Sequence, residues 1–209
     1  ISNVKVNGES TTPGHPFVET DAPAPQDAYA RSKYQAEEEL KRLAQQHGME
    51  WVIIRPPLVY GPGVKANFAA LANAAAKGLP LPFGSIRNLR SLVALGNLVD
   101  FIVCCTQHPL AANQTFLISD GHDLSTPELV RHLAQAAGVT ARLPRISPSL
   151  LKMAAALLGK KGSVERIAEN LQVDISKTRE LLGWTPPISV DEGLRRTAAH
   201  WLATEGAGK

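Results

Sequence analysis

Tyr29-Ala30-Arg31-Ser32-Lys33 sets a phenol and an ammonium four residues apart. On a helix that spacing brings both side chains to one face, one turn apart. An isolated phenol titrates at about 10 and is a poor base at neutral pH, but a neighbouring cation favours its ionised form. Such a pair can take the proton of an alcohol while a hydride leaves the same carbon. The same spacing also fits a packed tyrosine beside a solvated lysine, so the pentapeptide alone defines no site.

The surrounding elements must position the pair. Asp27 is of the right type to cap a helix, with Tyr29, Lys33, Ala36, Leu40 and Ala44 along one side and Gly48 to close it. Upstream, Ile1 to Val6 alternates like a strand, Asn7-Gly8 gives a turn, and Thr11 to Pro25 is a loop rich in Thr, Pro, Gly and Asp. Downstream, Trp51-Val52-Ile53-Ile54 is apolar at every position, as in a parallel sheet covered on both faces, and Pro56-Pro57 ends the run. Strand, helix and apolar strand in this order make a βαβ unit. Further on, the pattern predicts a helix over Asn67–Ala76, a Pro-rich loop over Gly78–Gly84, a short strand over Arg90–Leu95, a helix over Asn97–Thr106 and a buried strand over Thr115–Ile118. Ser125-Thr126-Pro127-Glu128 and Ser189-Val190-Asp191-Glu192 read as capping boxes, the first for a helix ending before Gly138, the second for the final helix through Trp201. Helices are also expected over Leu150–Leu158, Ser163–Leu171 and Ser176–Leu182, the last closed by Gly183.

Taken in order, Val6-Asn7-Gly8, the Tyr-x-x-x-Lys helix and Arg55-Pro56-Pro57-Leu58-Val59-Tyr60-Gly61-Pro62 resemble the extended short-chain dehydrogenase/reductase family, the nucleotide-sugar epimerases and dehydratases. Arg90-Ser91-Leu92-Val93 with Asn97-Leu98-Val99-Asp100 is similar to that family's substrate-contacting segment, and Asp174 to Pro186 to its C-terminal signature. The resemblance covers nearly the whole chain. It implies that Tyr29 is the general base and that Lys33 supports it and holds the nicotinamide ribose. It also implies that Pro56 and Pro57 flank the nicotinamide of NAD (or NADP), and that Asn67 and Arg90 contact the nucleotide diphosphate of a nucleotide diphosphate sugar. A guanidinium suits paired phosphate oxygens; without the resemblance Asn67 reads as a helix cap and Arg90 as a surface arginine.

Two positions depart from the family pattern. Asn3 stands where the family places the Ser or Thr that hydrogen-bonds the reacting hydroxyl; its amide could donate that bond, and Ser2 should point to the other face of a strand. Leu58 replaces an Asn found in many sugar epimerases. Pro56-Pro57-Leu58 followed by Val64-Lys65-Ala66-Asn67-Phe68 is similar to bacterial surface-polysaccharide members that handle UDP-N-acetylhexosamines.

Other chemistries are disfavoured. No Gly-x-x-Gly-x-x-Gly loop occurs, and the resemblance requires one where a pyrophosphate meets a helix N-terminus. The chain is therefore expected to be a fragment, inactive alone, whose first strand and Trp51–Ile54 expose an apolar edge that drives homo-oligomer formation or association with a partner. The net charge of +3 is spread along the chain, with Lys160-Lys161 no more than a compact basic pair, so no nucleic-acid stripe is expected. Cys104 and Cys105 are adjacent and cannot frame a disulfide fold, which together with the absence of a leader or an apolar run of about 20 residues leads to the expectation of a cytoplasmic protein off the membrane. The six histidines lack metal-ligand spacing, so no metal is expected, and no Gly-x-Ser-x-Gly elbow is present.

The expected fold is α/β, the second half of a Rossmann-type parallel sheet plus a smaller, mainly helical substrate-binding lobe. Residues 1–64 would complete the dinucleotide domain, 65–95 would meet the substrate, 96–120 would return to the sheet and 121–209 would form the lobe. The implied activity is epimerisation or oxidation of a UDP-hexose or UDP-N-acetylhexosamine. A same-fold alcohol dehydrogenase or reductase on a steroid- or flavonoid-like substrate, or a noncatalytic NAD(P)-sensing protein, is the alternative.

Overall fold

Asp27 opens the first helix through its side chain: Oδ1 accepts from the Ala30 N–H at 2.7 Å, and the residue itself is extended. This helix, α1, runs Ala28–His47 and ends at Gly48 in the left-handed region, φ 64°. The computed structural model describes all residues except 65, 148, 152, 154–161, 163–166 and 207–209. Lys160-Lys161 and much of the helices expected over Leu150–Leu158 and Ser163–Leu171 lie outside the described residues.

The buried stripe of α1 differs from the expected one. Ala30, Glu37 and Ala44 face inward, seven residues apart, while Ala36 and Leu40 are exposed. Two alanines and a carboxylate score poorly as an apolar face, so a hydrophobic count selects the wrong side.

Strand β1 (Val52–Arg55) follows α1 and is buried from Ile53 onward. Strand β2 (Leu58–Tyr60), which the pattern does not reveal, comes directly after the two prolines and is only three residues long. Beyond it come α2 (Ala66–Ala76), β3 (Leu92–Ala94), α3 (Leu95–Gln107) and β4 (Gln114–Leu117). β1 and β4 pair in parallel, with Ile54 opposite Phe116, and β2 pairs with β3. Then follow α4 (Thr126–Ala136), α5 (Ser176–Leu182) and α6 (Val190–Gly206). The Ser125–Glu128 box is reciprocal, whereas at Ser189 only the hydroxyl accepts, from the Glu192 N–H at 3.3 Å, and the Glu192 carboxylate turns to Arg195 and Arg196.

The first residues correct another expectation. Ile1 to Asn3 run extended beside β1: the Ser2 N–H donates to the Ile54 carbonyl at 2.7 Å and the Val4 N–H to the Pro56 carbonyl at 3.0 Å. Between those two bonds a parallel ladder needs the N–H of residue 56, and proline has none. The chain then leaves β1 in a 3₁₀ turn over Val4–Val6, capped by Asn3. β1 is nevertheless not an edge: Ile54 and Pro56 carbonyls accept on this side, and the Trp51 carbonyl accepts from Asn113 toward β4. The edge expected along Trp51–Ile54 is thus paired on this side at its Ile54 end.

Two compact units result. The first comprises Ile1–Val59, Ser91–His122 and Leu171–Ile188. Its core gathers Ile54, Leu98, Phe101, Phe116, Ile118 and Trp184; Phe101 stands edge-on to both Phe116 and Trp184, with ring centroids 5.6 and 4.9 Å apart. Each such ring contributes roughly 1.5–3 kcal/mol by leaving water. Residues 171–188 belong here and not with the lobe expected over 121–209: Leu171, Val173 and Ile175 pack on Val4 and Leu117, and Trp184 donates its indole N–H to Asp100 at 2.7 Å. The second unit comprises Tyr60–Arg90, Asp123–Asn170 and Ser189–Lys209. There α4 contacts both α2 and α6, burying Phe68, Leu129, Leu133 and Leu194.

Candidate functional site

Tyr29 and Lys33 come together as the spacing requires. Lys33 Nζ lies 5.9 Å from the centroid of the Tyr29 ring, and the tyrosine is 51% exposed. The ammonium also donates to the Ile1 carbonyl at 3.3 Å, which ties the helix pair to the segment beside β1. That single long bond engages one of the three N–H donors of the ammonium.

Asn3 lies on the same segment, between the Ser2 and Val4 amides that hold it to β1. Its Oδ1 accepts from the Lys5 N–H at 2.9 Å, so the group it can offer a ligand is the Nδ2 donor. Pro56 and Pro57 are buried at the end of β1, and Pro56 is joined to the segment by the Val4 bond. Tyr29, Lys33, Asn3 and Pro56 are therefore linked within the first unit by named contacts.

Asn67 and Arg90 belong to the second unit. Asn67 is exposed and is the second residue of α2, not its cap. Arg90 is half-buried; its backbone bridges Leu124, and Nη1 donates to the Glu169 carbonyl at 3.1 Å. Of the segment expected to touch substrate, Asn97 is fully buried and acts on the backbone: its Oδ1 accepts from Ile188 N–H, and its Nδ2 donates to the Ile188 carbonyl and to Asp120. Asp120 also accepts from the N–H of Ala94, the residue before α3, at 2.8 Å, where the alanine itself has no side-chain acceptor.

Two features escape the motif reading. Ser2 Oγ is buried without a hydrogen-bond partner, and the residue borders a cavity of about 120 Å³ bounded also by Ile1, Lys33, Leu40 and Ile53. The second is an ion pair between Glu37 and Arg55, each 3% exposed. Nε and Nη2 of the arginine meet the two carboxylate oxygens at 2.9 and 2.6 Å, and Nη1 donates to Asn7 Oδ1 at 3.0 Å. Its signal was present: Arg55 is a charge ending an apolar strand, and Glu37 lies one turn beyond Lys33.

A parallel α/β sheet unit, with a Tyr-x-x-x-Lys helix beside the carboxyl end of a buried strand, defines a dinucleotide-fold protein of the short-chain dehydrogenase/reductase type. The description "NAD dependent epimerase/dehydratase family" matches residues 1–119, and the chain belongs to that family. It is 54% identical over 204 residues to a UDP-glucose 4-epimerase of Vibrio cholerae, covering 97% of this chain and 62% of that one. It is 27% identical to the N-acetyl-alpha-D-glucosaminyl-diphospho-ditrans,octacis-undecaprenol 4-epimerase of Escherichia coli O157:H7, covering 94% and 60%. The chain thus spans about three fifths of the length of these relatives. Among solved structures, the fold is similar to a UDP-glucose 4-epimerase of Thermotoga maritima with UDP-glucose, at TM-score 0.73 and 23% identity over 98% of this chain and 62% of that one. It is also similar to a UDP-glucuronic acid 4-epimerase of Bacillus cereus in complex with NAD, at TM-score 0.76 and 19% identity, covering 97% and 60%.

Proposed function

We propose that the whole protein is an NAD-dependent 4-epimerase of a UDP-hexose or UDP-N-acetylhexosamine, and that this chain supplies its proton-transfer residues. The observation that carries the reading is the half-exposed Tyr29 with Lys33 Nζ 5.9 Å from its ring. The 54% identity to the Vibrio cholerae UDP-glucose 4-epimerase supports the substrate class.

The residues present suit the nicotinamide end of the cofactor. Lys33 keeps N–H donors for ribose hydroxyls, and the Pro56–Pro57 pair offers an apolar wall. Bound NAD would supply the acceptor for the hydrogen that leaves the sugar carbon and would return it to the opposite face. Tyr29, as phenolate, takes the proton of the hydroxyl on that carbon and gives it back when the sugar is reduced. Lys33, beside the Tyr29 ring, is assigned to the nicotinamide ribose. Asn3 Nδ2 donates to the same hydroxyl and orients it toward Tyr29. Asn67 and Arg90 are assigned to the diphosphate of the substrate.

Tyr29→Phe in the full-length protein tests the reading. Turnover of UDP-glucose or UDP-N-acetylglucosamine should fall by roughly 10²–10⁴-fold while the protein stays folded. Turnover kept in Tyr29→Phe, or oxidation of a hydroxysteroid with no action on either UDP-sugar, would overturn it.

A further inference from the structure

α1 carries the proposed base, yet its inward face has little with which to fix its position. Of its three buried residues, Ala30 and Ala44 are small, and only Glu37 is long. A helix seated on alanines can slide or rotate by an ångström with small loss of contact, because dispersion attraction changes gradually over such shifts. A fork of two parallel N–H···O bonds cannot, since both length and direction are specified. The fork joins Glu37, one turn beyond Lys33, to Arg55, the residue immediately before Pro56. The third Arg55 donor is fixed by Asn7, whose own Nδ2 donates to the Val18 carbonyl at 3.0 Å.

A buried ion pair is a poor way to gain stability, because desolvating both charges offsets most of their attraction, and apolar residues of similar volume often do as well. Its contribution here is one of geometry. We infer that Glu37 and Arg55 are positioning residues, a gauge that sets the axial and rotational place of α1 on β1 and so the distance from the Tyr29 phenol to whatever lies against Pro56 and Pro57. The inference rests on the proposed roles of Tyr29, Pro56 and Pro57. Because Tyr29 and Lys33 ride on one helix, releasing the gauge moves them together and leaves their mutual spacing intact.

The test is kinetic, on the full-length protein with NAD and its UDP-sugar. Glu37→Leu combined with Arg55→Met replaces the pair by an apolar contact of similar volume, and its melting temperature should fall only by the few degrees that go with the lost partner of Asn7 Oδ1. Its kcat should drop about tenfold to a hundredfold, the effect of misplacing a reacting group by about an ångström. Its KM should remain within about twofold, since ground-state contacts are untouched, and the pH profile of kcat should keep its midpoint. Arg55→Lys, which keeps charge and burial but has no fork, should show the same split and decides the matter should the double variant fail to fold. A folded variant of either kind with the parental kcat overturns the inference, as does a loss that only follows the fraction of unfolded protein. Tyr29→Phe is run beside them. An active Tyr29→Phe protein refutes the reading of the site, whereas an inactive one beside a fully active paired variant refutes the gauge alone.

Discussion

Asn3 shows how one side chain can serve two ends. Its Oδ1 caps the 3₁₀ turn through the Lys5 N–H, and the amide is thereby oriented with its donor free. In the proposed site that donor holds the reacting hydroxyl. Asn3→Ala should therefore lower kcat by about 10²-fold, the scale of a lost donor at a reacting oxygen, in steady-state assays of the full-length protein. Asn3→Ser keeps an oxygen for the Lys5 N–H and an O–H to donate, and should retain activity; a dead Asn3→Ser would argue that the amide does something a hydroxyl cannot. At this scale the sequence is legible where spacing dictates neighbours, as for Tyr29 and Lys33. It is silent where partners are distant along the chain. Asn97 read as part of a ligand-facing segment, and only the folded chain brings Ile188 and Asp120 to its amide.

The start of α1 is held by a charged clasp. Lys5 Nζ reaches Asp27 at 2.7 Å and Glu9 at 2.9 Å, while Asp27 also accepts from the Ala30 N–H. The Lys5 bond and then the Ala30 N–H hold the Asp27 carboxyl below its ordinary 3.8. Burial pulls Lys5 down, but its bonds to Asp27 and Glu9 more than offset that and leave it above its ordinary 10.5. A depressed carboxyl stabilises the fold above its unfolded value and loses that contribution as pH falls through the folded one; a raised ammonium does so below its unfolded value and loses it as pH climbs. The clasp is thus at full strength between 3.8 and 10.5. Asp27→Ala should destabilise the protein by about 1 kcal/mol in denaturant unfolding at pH 7, a difference that shrinks as pH drops below 4. Element types were readable wherever a cap and a period agreed, as at Asp27, Gly48 and Ser125–Glu128. β2 was not, being three residues beyond a proline pair with no alternation to detect, and the strand expected at Ile1 stops where Pro56 withholds its N–H.

Across the molecule, the two cysteines report on the integrity of the first unit. Burial, then the neighbouring Cys104, pushes the Cys105 thiol up to about 12, and it sits in the core with Phe101. At pH 8 a thiol reagent should leave Cys105 unmodified in native protein and modify both thiols in denaturant, which mass spectrometry of digests reads directly. Rapid native labelling of Cys105 would mean that the Phe101 core opens far more readily than its packing indicates. In the second unit, Gly193 closely abuts the Tyr60 ring: a Cβ there would lie 2.6 Å from the hydroxyl. Gly193→Ala should cost about 1–3 kcal/mol by overpacking, seen as earlier cleavage in limited proteolysis. The division into units was the least legible level, since the chain crosses between them repeatedly and no boundary composition marks the crossings.

That interleaving bears on how the protein is made. The first unit takes its final pieces from Leu171–Ile188, and Trp184 closes over Phe101 only then. At about 5–20 residues per second, a ribosome that has finished β4 needs roughly 3–13 s more to deliver that indole. During synthesis the greasy underside of the sheet waits, open to chaperones or to a neighbouring nascent chain. A stop codon shortly before Leu171 would leave it so permanently.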